Sequence, residues 1–351
     1  MVKKVKNIKK IFALLVTLII SLNAVGAACA DSRLDTSVNK TAQYIISAVS
    51  DPSVGSIGGE WAVIGLKRSG YDINSEYFDK YYNNLLSHLF EKGGKLSERK
   101  YTEYSRAVLA LTAIGKDPKN VSGYDILSPL YDYEKTARQG VNGVVFALLA
   151  LDSGDYYVPD GLREKYIEEI LSYRLSDGGF GFDASETASD IDMTAMVLQA
   201  LSKYKTQENV KNSIERALGF LSANQFADGG FASANAETAG SVSQGIIALC
   251  ALGISVNDER FLKNGNTVTE NLLSFMNDDG SFRHKLTDQK PNQMATEQAL
   301  CALSSLKRIS DGKTSLYDMT DNRTDVGACM LMGLNAVIEI KEIYGVFKNE
   351  K

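Results

Sequence analysis

The stretch from Asp190 to Thr194, D-I-D-M-T, sets two carboxylates one residue apart at the head of an apolar run. Side chains of this type can donate a proton, hold a ligand or cap a helix. An aspartate acting as a general acid must keep its proton until it donates, and burial achieves this by disfavouring the charged form. Asp192 is the candidate for that work. Asp190, at the boundary of the run, suits a cap, where a carboxylate receives free backbone N–H groups and meets the positive end of the helix dipole. A hydrolytic reading would need two carboxylates about 5 to 9.5 Å apart across a cleft. Asp190, Asp192, Glu237 and Glu297 all stand near the starts of similar apolar runs.

Other chemistries have little to draw on. The chain has only two histidines, His88 and His284, and no Asp-x-Cys pair, so no metal site is expected. Cys250, Cys301 and Cys329 lie in apolar helical contexts and read as core thiols, an odd set that argues against a disulfide framework.

The elements that must position these residues follow from a repeat. D-G-G-F begins at Asp177 and again at Asp228, and D-G-S-F begins at Asp279, a spacing of 51 residues each time. After each turn comes a small-residue apolar helix, and three more such helices precede the first turn, beginning near Glu60, Tyr101 and Gly140. Between them run helices with a one-sided apolar stripe, such as Leu162 to Leu175 and Glu208 to Gln225, with Asp35 to Val49 as the first. Helices apolar nearly all round must be covered on most sides, whereas striped ones can face water. A closed ring of six inner helices within six outer ones satisfies both classes and exposes no terminal repeat. The sequence therefore predicts an all-α fold, an (α/α)6 toroid over residues 31–310, followed by a helical tail over 311–351.

If all six inner helices start at one end of the ring, their first turns surround a single mouth. That mouth would gather Trp61, Tyr101, Tyr104, Arg106, Asp190, Asp192, Gln244, Gln293 and Glu297 as candidate ligand-binding residues, with Glu60, Glu103, Gln139, Asn142, Glu237 and Gln298 nearby. Aromatic faces among amides and carboxylates suit a polar, partly planar ligand. Each residue also has a purely structural reading. Asp192 could pair with Arg106, Glu297 and Gln298 could bond the starts of neighbouring helices, and Trp61, the single tryptophan, could plug the seam between first and last repeats.

The first 30 residues have the layout of an export signal: five lysines before Ile11, the apolar run I-F-A-L-L-V-T-L-I-I-S-L, and small residues at Ala28 and Ala30. Cleavage after Ala30 is expected, with lipid attachment at Cys29 as the lesser alternative. Loss of the lysine-rich segment makes the remaining chain more acidic than the formal net charge of −5, which speaks against nucleic acid as a partner.

The turn Q-F-A-D-G-G-F at Gln225 resembles the Q-x-x-D-G-x-W repeat of the terpenoid cyclase and protein prenyltransferase toroid superfamily, with Phe231 in the tryptophan place. Arg174 and Met276 replace the glutamine in the other two turns. D-I-D-M-T is similar to the D-x-D-D motif of class II terpene cyclases, with Met193 replacing the last aspartate; by that resemblance Asp192 would be the acid. Those enzymes, however, build their site between two such domains. The segments around Trp61, Tyr101, Asp192 and Gln293, with S-L-Y-D-M, resemble secreted bacterial toroid proteins, which often precede a small β domain similar to the cap of the cobalamin carriers intrinsic factor and transcobalamin. No such cap is expected within these 351 residues. The expectation is an exported or cell-surface binding protein whose ligand, a small molecule such as a corrinoid, a glycan or a peptide, sits at the ring mouth, with no cofactor. A separate cap or surface protein could dock on the tail. The alternative is a cyclase-like or hydrolytic enzyme that uses Asp192.

Overall fold

The computed structural model describes residues 32–322, apart from 184 and 234–235. The expected export signal, Cys329 and most of the expected helical tail lie outside these residues. Among the described residues the fold is all-α, with one two-residue hairpin, β1 (Ala232–Ser233) and β2 (Ala236–Glu237).

Six inner helices form the ring: α2 (Glu60–Ser69), α4 (Thr102–Ala113), α6 (Gly140–Ser153), α8 (Ile191–Leu201), α10 (Ala239–Leu252) and α12 (Gln293–Ser310). Each packs on the next, and α12 returns to pack on α2. Alternating with them outside are α1 (residues 32–48), α3 (Ser75–Glu91), α5 (Tyr133–Ala137), α7 (Leu162–Ser172), α9 (Glu208–Ala223) and α11 (Val268–Ser274). The two classes differ in burial as their sequences require. Outer helix α3 buries Tyr77, Phe78, Tyr81, Leu85 and Leu89 on one stripe, while every residue of inner helix α10 except Gln244 and Ala251 is buried. The third outer position is reduced to α5 and the 3-10 turn Ser128–Tyr131, where Pro129 suits a turn better than a long helix.

The 51-residue repeat has a structural explanation. Its phenylalanines, Phe180, Phe231 and Phe282, are fully buried. The backbone N–H groups of Phe180 and Phe282 donate to Thr194 and Thr296 on the following inner helices, both at 2.9 Å. Gly178, Gly229 and Gly280 hold φ of 95°, 88° and 90°, a left-handed region that favours glycine. A Cβ on each would meet a backbone oxygen of the next outer layer: Arg216 at 2.9 Å, Thr267 at 2.7 Å and, for Gly280, Lys40 at 2.4 Å. The last contact carries the outer layer back to α1. Lys40 Nζ also donates to the Asp278 carbonyl at 3.2 Å.

Residues 311–322 depart from the expected helix. They form a strap across the far end of the ring, with a single 3-10 turn at Thr320–Asn322, and bury Leu316, Tyr317 and Met319. Arg68 on α2 explains why: its guanidinium donates to the carbonyls of Leu316, Ser315 and Asp318 and pairs with Asp321 at 2.8 Å. Arg308 adds a bond to the Thr314 carbonyl at 2.7 Å. Carbonyls claimed by two buried arginines are not available to a helix.

The Gly280 contact gives a test of closure. Gly280→Ala adds both a backbone clash and left-handed strain, and should cost about 2–4 kcal/mol in denaturant unfolding. Gly312→Ala is the control, since φ there is 67° but nothing lies within 4 Å of the added Cβ. It should cost only about 1 kcal/mol.

Candidate functional site

All six inner helices line one central cavity of about 230 Å³, with residues drawn from their first to third turns. From α2 comes Trp61; from α4, Thr102 and Arg106; from α6, Asn142 and Phe146. The far side holds Asp192 and Met196 from α8, Gln244 and Ile247 from α10, and Gln298 and Cys301 from α12. Tyr317 of the strap forms the floor, and it also lines a small hollow of about 40 Å³ beneath. The cavity is therefore a cup, open at the mouth and stopped at the far end.

Trp61 answers both of its readings at once. Its backbone oxygen lies on the seam, 3.7 Å from the Cys301 thiol, while its indole stands in the cup against Phe146 and Tyr317, with ring centroids 5.6 and 6.5 Å away.

Asp190 is a helix cap. Its Oδ1 accepts from Met193 N at 2.9 Å, and its Oδ2 from Ser233 of the hairpin at 2.6 Å. Thr238 and Asn292 cap α10 and α12 in the same way. About 200° of helix rotation separates Asp190 from Asp192, whose side chain lines the cup. Burial pushes the Asp192 carboxyl up to about 6, and the neighbouring Asp190 charge adds to this, against a hydrogen bond from Ser241. Its Oδ1 is buried with no hydrogen-bond partner among the described residues, and so is Oδ1 of Asn142.

Arg106 does not pair with Asp192 as the sequence suggested. It meets Glu60 on the adjacent helix, Nε to Oε2 at 3.4 Å. Both Glu60 oxygens accept from Gly55 N at 3.1 Å, and Tyr81 donates to Oε1 at 3.3 Å. Complete burial raises the Glu60 carboxyl to about 7 in spite of the arginine.

The remaining candidates turn away from the cup. Tyr101 and Tyr104 are buried against each other, and Tyr104 OH accepts from Leu96 N at 3.1 Å. Glu297 accepts from Gly58 N at 2.9 Å and from Gln293 Nε2 at 2.8 Å, so both of these residues secure the loop before α2. Phe146, Met196, Cys301 and Tyr317 were not singled out from the sequence. The first two lie four residues after Asn142 and Asp192, one turn deeper on the same face, so helical spacing could have found them. The Cys301 thiol is pushed well above its ordinary value by burial and by Glu297, which leaves it protonated. Among the described residues, no group of three His, Cys, Asp or Glu side chains is placed to hold a metal ion.

With this geometry in view, the comparisons with known proteins fall into place. The family model for the prenyltransferase alpha-alpha toroid domain matches residues 125–320. The chain belongs to this family. Three solved structures share its fold: the type II terpene cyclase MstE from Scytonema with merosterolic acid A (14% identity, TM-score 0.55, 80% of this chain and 98% of that one), a polysaccharide lyase (13%, 0.55, 80% and 98%), and the unsaturated glucuronyl hydrolase of Bacillus sp. GL1 (11%, 0.54, 80% and 97%). At these identities the likeness is one of fold. None of the curated proteins matches the chain.

The buried Asp192 carboxyl, with one oxygen unpartnered, gives a pH test. Its proton is held more tightly in the folded state, so the stability it contributes is complete below its ordinary value of 3.8 and is lost as pH rises through about 6. Asp192→Asn should therefore raise stability at pH 8, by about 2–3 kcal/mol, and change it little at pH 3.5. Melting curves at the two pH values check this.

Proposed function

We propose that this is an exported binding protein that holds a small, partly polar molecule in the cup of the toroid. One observation carries the reading: Asp192 and Asn142, each with a buried oxygen that has no partner among the described residues, line a cavity walled by Trp61, Phe146 and Met196. Buried polar atoms are nearly always bonded, so both side chains keep hydrogen-bonding capacity beside the cup. The aromatic wall offers a face for stacking.

The volume limits the ligand. About 230 Å³ gives room for one sugar ring or one amino-acid residue. A corrinoid or a polyprenyl chain exceeds it and would have to lie over the mouth, whereas a glycan or peptide can insert a single unit.

A second reading treats Asp192 as a general acid, supported by a carboxyl raised to about 6 in an aromatic pocket. A paired-carboxylate hydrolysis, however, needs a second acid, and Asp192 is the only carboxylate among the described residues that line the cup. Glu60 and Glu297 are committed to the loop before α2. Binding therefore ranks first.

Calorimetric titration of the mature protein with a panel of monosaccharides and single amino-acid amides tests the reading. A member of the panel should bind, and Asp192→Ala should weaken it tenfold or more, about 1.4 kcal/mol, without lowering the melting temperature. Turnover of a glycoside or polyprenyl substrate that Asp192→Asn abolishes, with affinity retained, would put the enzyme reading in its place.

A further inference from the structure

We infer that the molecule held in the cup is a small organic carboxylate, and that Arg106 receives its charge. The inference rests on the cup being the binding site and adds the chemical class of its occupant.

Arg106 is the starting point. Its side chain is 15% exposed, lines the cup, and makes a single ion pair, through Nε, at 3.4 Å. The two terminal nitrogens of the guanidinium, the pair that grips a carboxylate side-on, make no hydrogen bond among the described residues. Glu60 is a weak neutraliser of this cation. Its oxygens are already shared with Gly55 N and Tyr81 OH, and burial makes it give up its charge near neutral pH.

The surroundings favour the same sign. Gln244 has its Oε1 occupied by Gln199 Nε2 at 2.9 Å, which leaves the Gln244 amide N–H groups as donors on the cup wall. The six inner helices direct their N-terminal ends towards the mouth, so their dipoles add positive potential where a ligand enters. Asp192 stands on α8, with α6 between it and the arginine's helix, and makes no ion pair with Arg106. The cup thus offers an open guanidinium on one wall and a separate carboxyl on another. A ligand with a carboxylate at one end and a hydrogen-bond donor at the other satisfies both, with Trp61 and Phe146 against its body.

The single tryptophan allows a test without knowledge of the natural ligand. Trp61 emission is quenched with iodide, with caesium and with neutral acrylamide. An acidic protein ordinarily favours caesium. If the cup is cationic, iodide should quench Trp61 about threefold more strongly than caesium after normalisation to the free indole. Because Arg106→Gln alone would strip Glu60 of its cation, it is made in a Glu60→Gln background. Glu60→Gln by itself should widen the iodide preference, and the double variant should abolish it. In parallel, cyclohexanecarboxylate and cyclohexylmethanol, alike in body and different in charge, are titrated against the same emission. The acid should bind tenfold or more tightly, and the double variant should erase the difference. Caesium quenching equal to or above iodide, or equal affinity for acid and alcohol, overturns the inference while leaving a neutral ligand in the cup. A Trp61 shielded from acrylamide would instead remove the cup as a binding site, and the inference with it.

Discussion

The closure of α12 on α2 is the contact on which the rest of the molecule depends. A Cβ at Gly65 would lie 3.3 Å from Cys301 and Leu300, so glycine lets the two helices approach closely there. Ser304 on α12 donates to the Gly65 carbonyl at 3.1 Å. Inner helices that are apolar nearly all round have no face to turn to water, and an open arc of them would leave two exposed at its ends. Closure removes both ends. It also brings Trp61 and Cys301, residues 240 positions apart in the chain, to neighbouring places on one wall.

How much of this was legible in the sequence follows from periodicity. The 51-residue turns, the two helix classes and the ring could all be read, because each is a local pattern repeated. Helix phase was the weaker step. Glu297 and Gln298 are consecutive, so they point about 100° apart, and only Gln298 reaches the cup. Thr102 and Arg106 face inward for the same reason that Tyr101 and Tyr104 do not. The pairing of Arg106 with Glu60 joins two inner helices, and no short-range pattern reports it. Tyr317 could not be reached from the repeat at all, since it belongs to the strap and arrives at the cup by way of contacts from Arg68 and Arg308.

The site and the scaffold divide the polar residues between them. Asp190, Thr238 and Asn292 end in caps, each with its hydrogen bonds made nearby, and Glu297 ends in a loop anchor through Oε1. Asp192 and Asn142 lie two and three residues past the N-cap positions of their helices and each keep one oxygen unpaired. A carboxyl held in this way costs stability in the empty protein, and retaining that cost is common where a binding site is kept ready. The two aspartates at the head of α8 are thus alike in type and opposite in use, one spent on its own helix and one left open.

The strap decides how anything can pass through the ring. With Tyr317 across the far end, the toroid has one doorway, and whatever enters must leave by the route it came. A polymer cannot thread through such a chamber and be gripped along its middle. Only a chain end, or a free monomer, can reach Arg106 and Asp192. In the proposed binding role, the fold of the strap, tied down by two buried arginines, would therefore set the molecule to count termini rather than length.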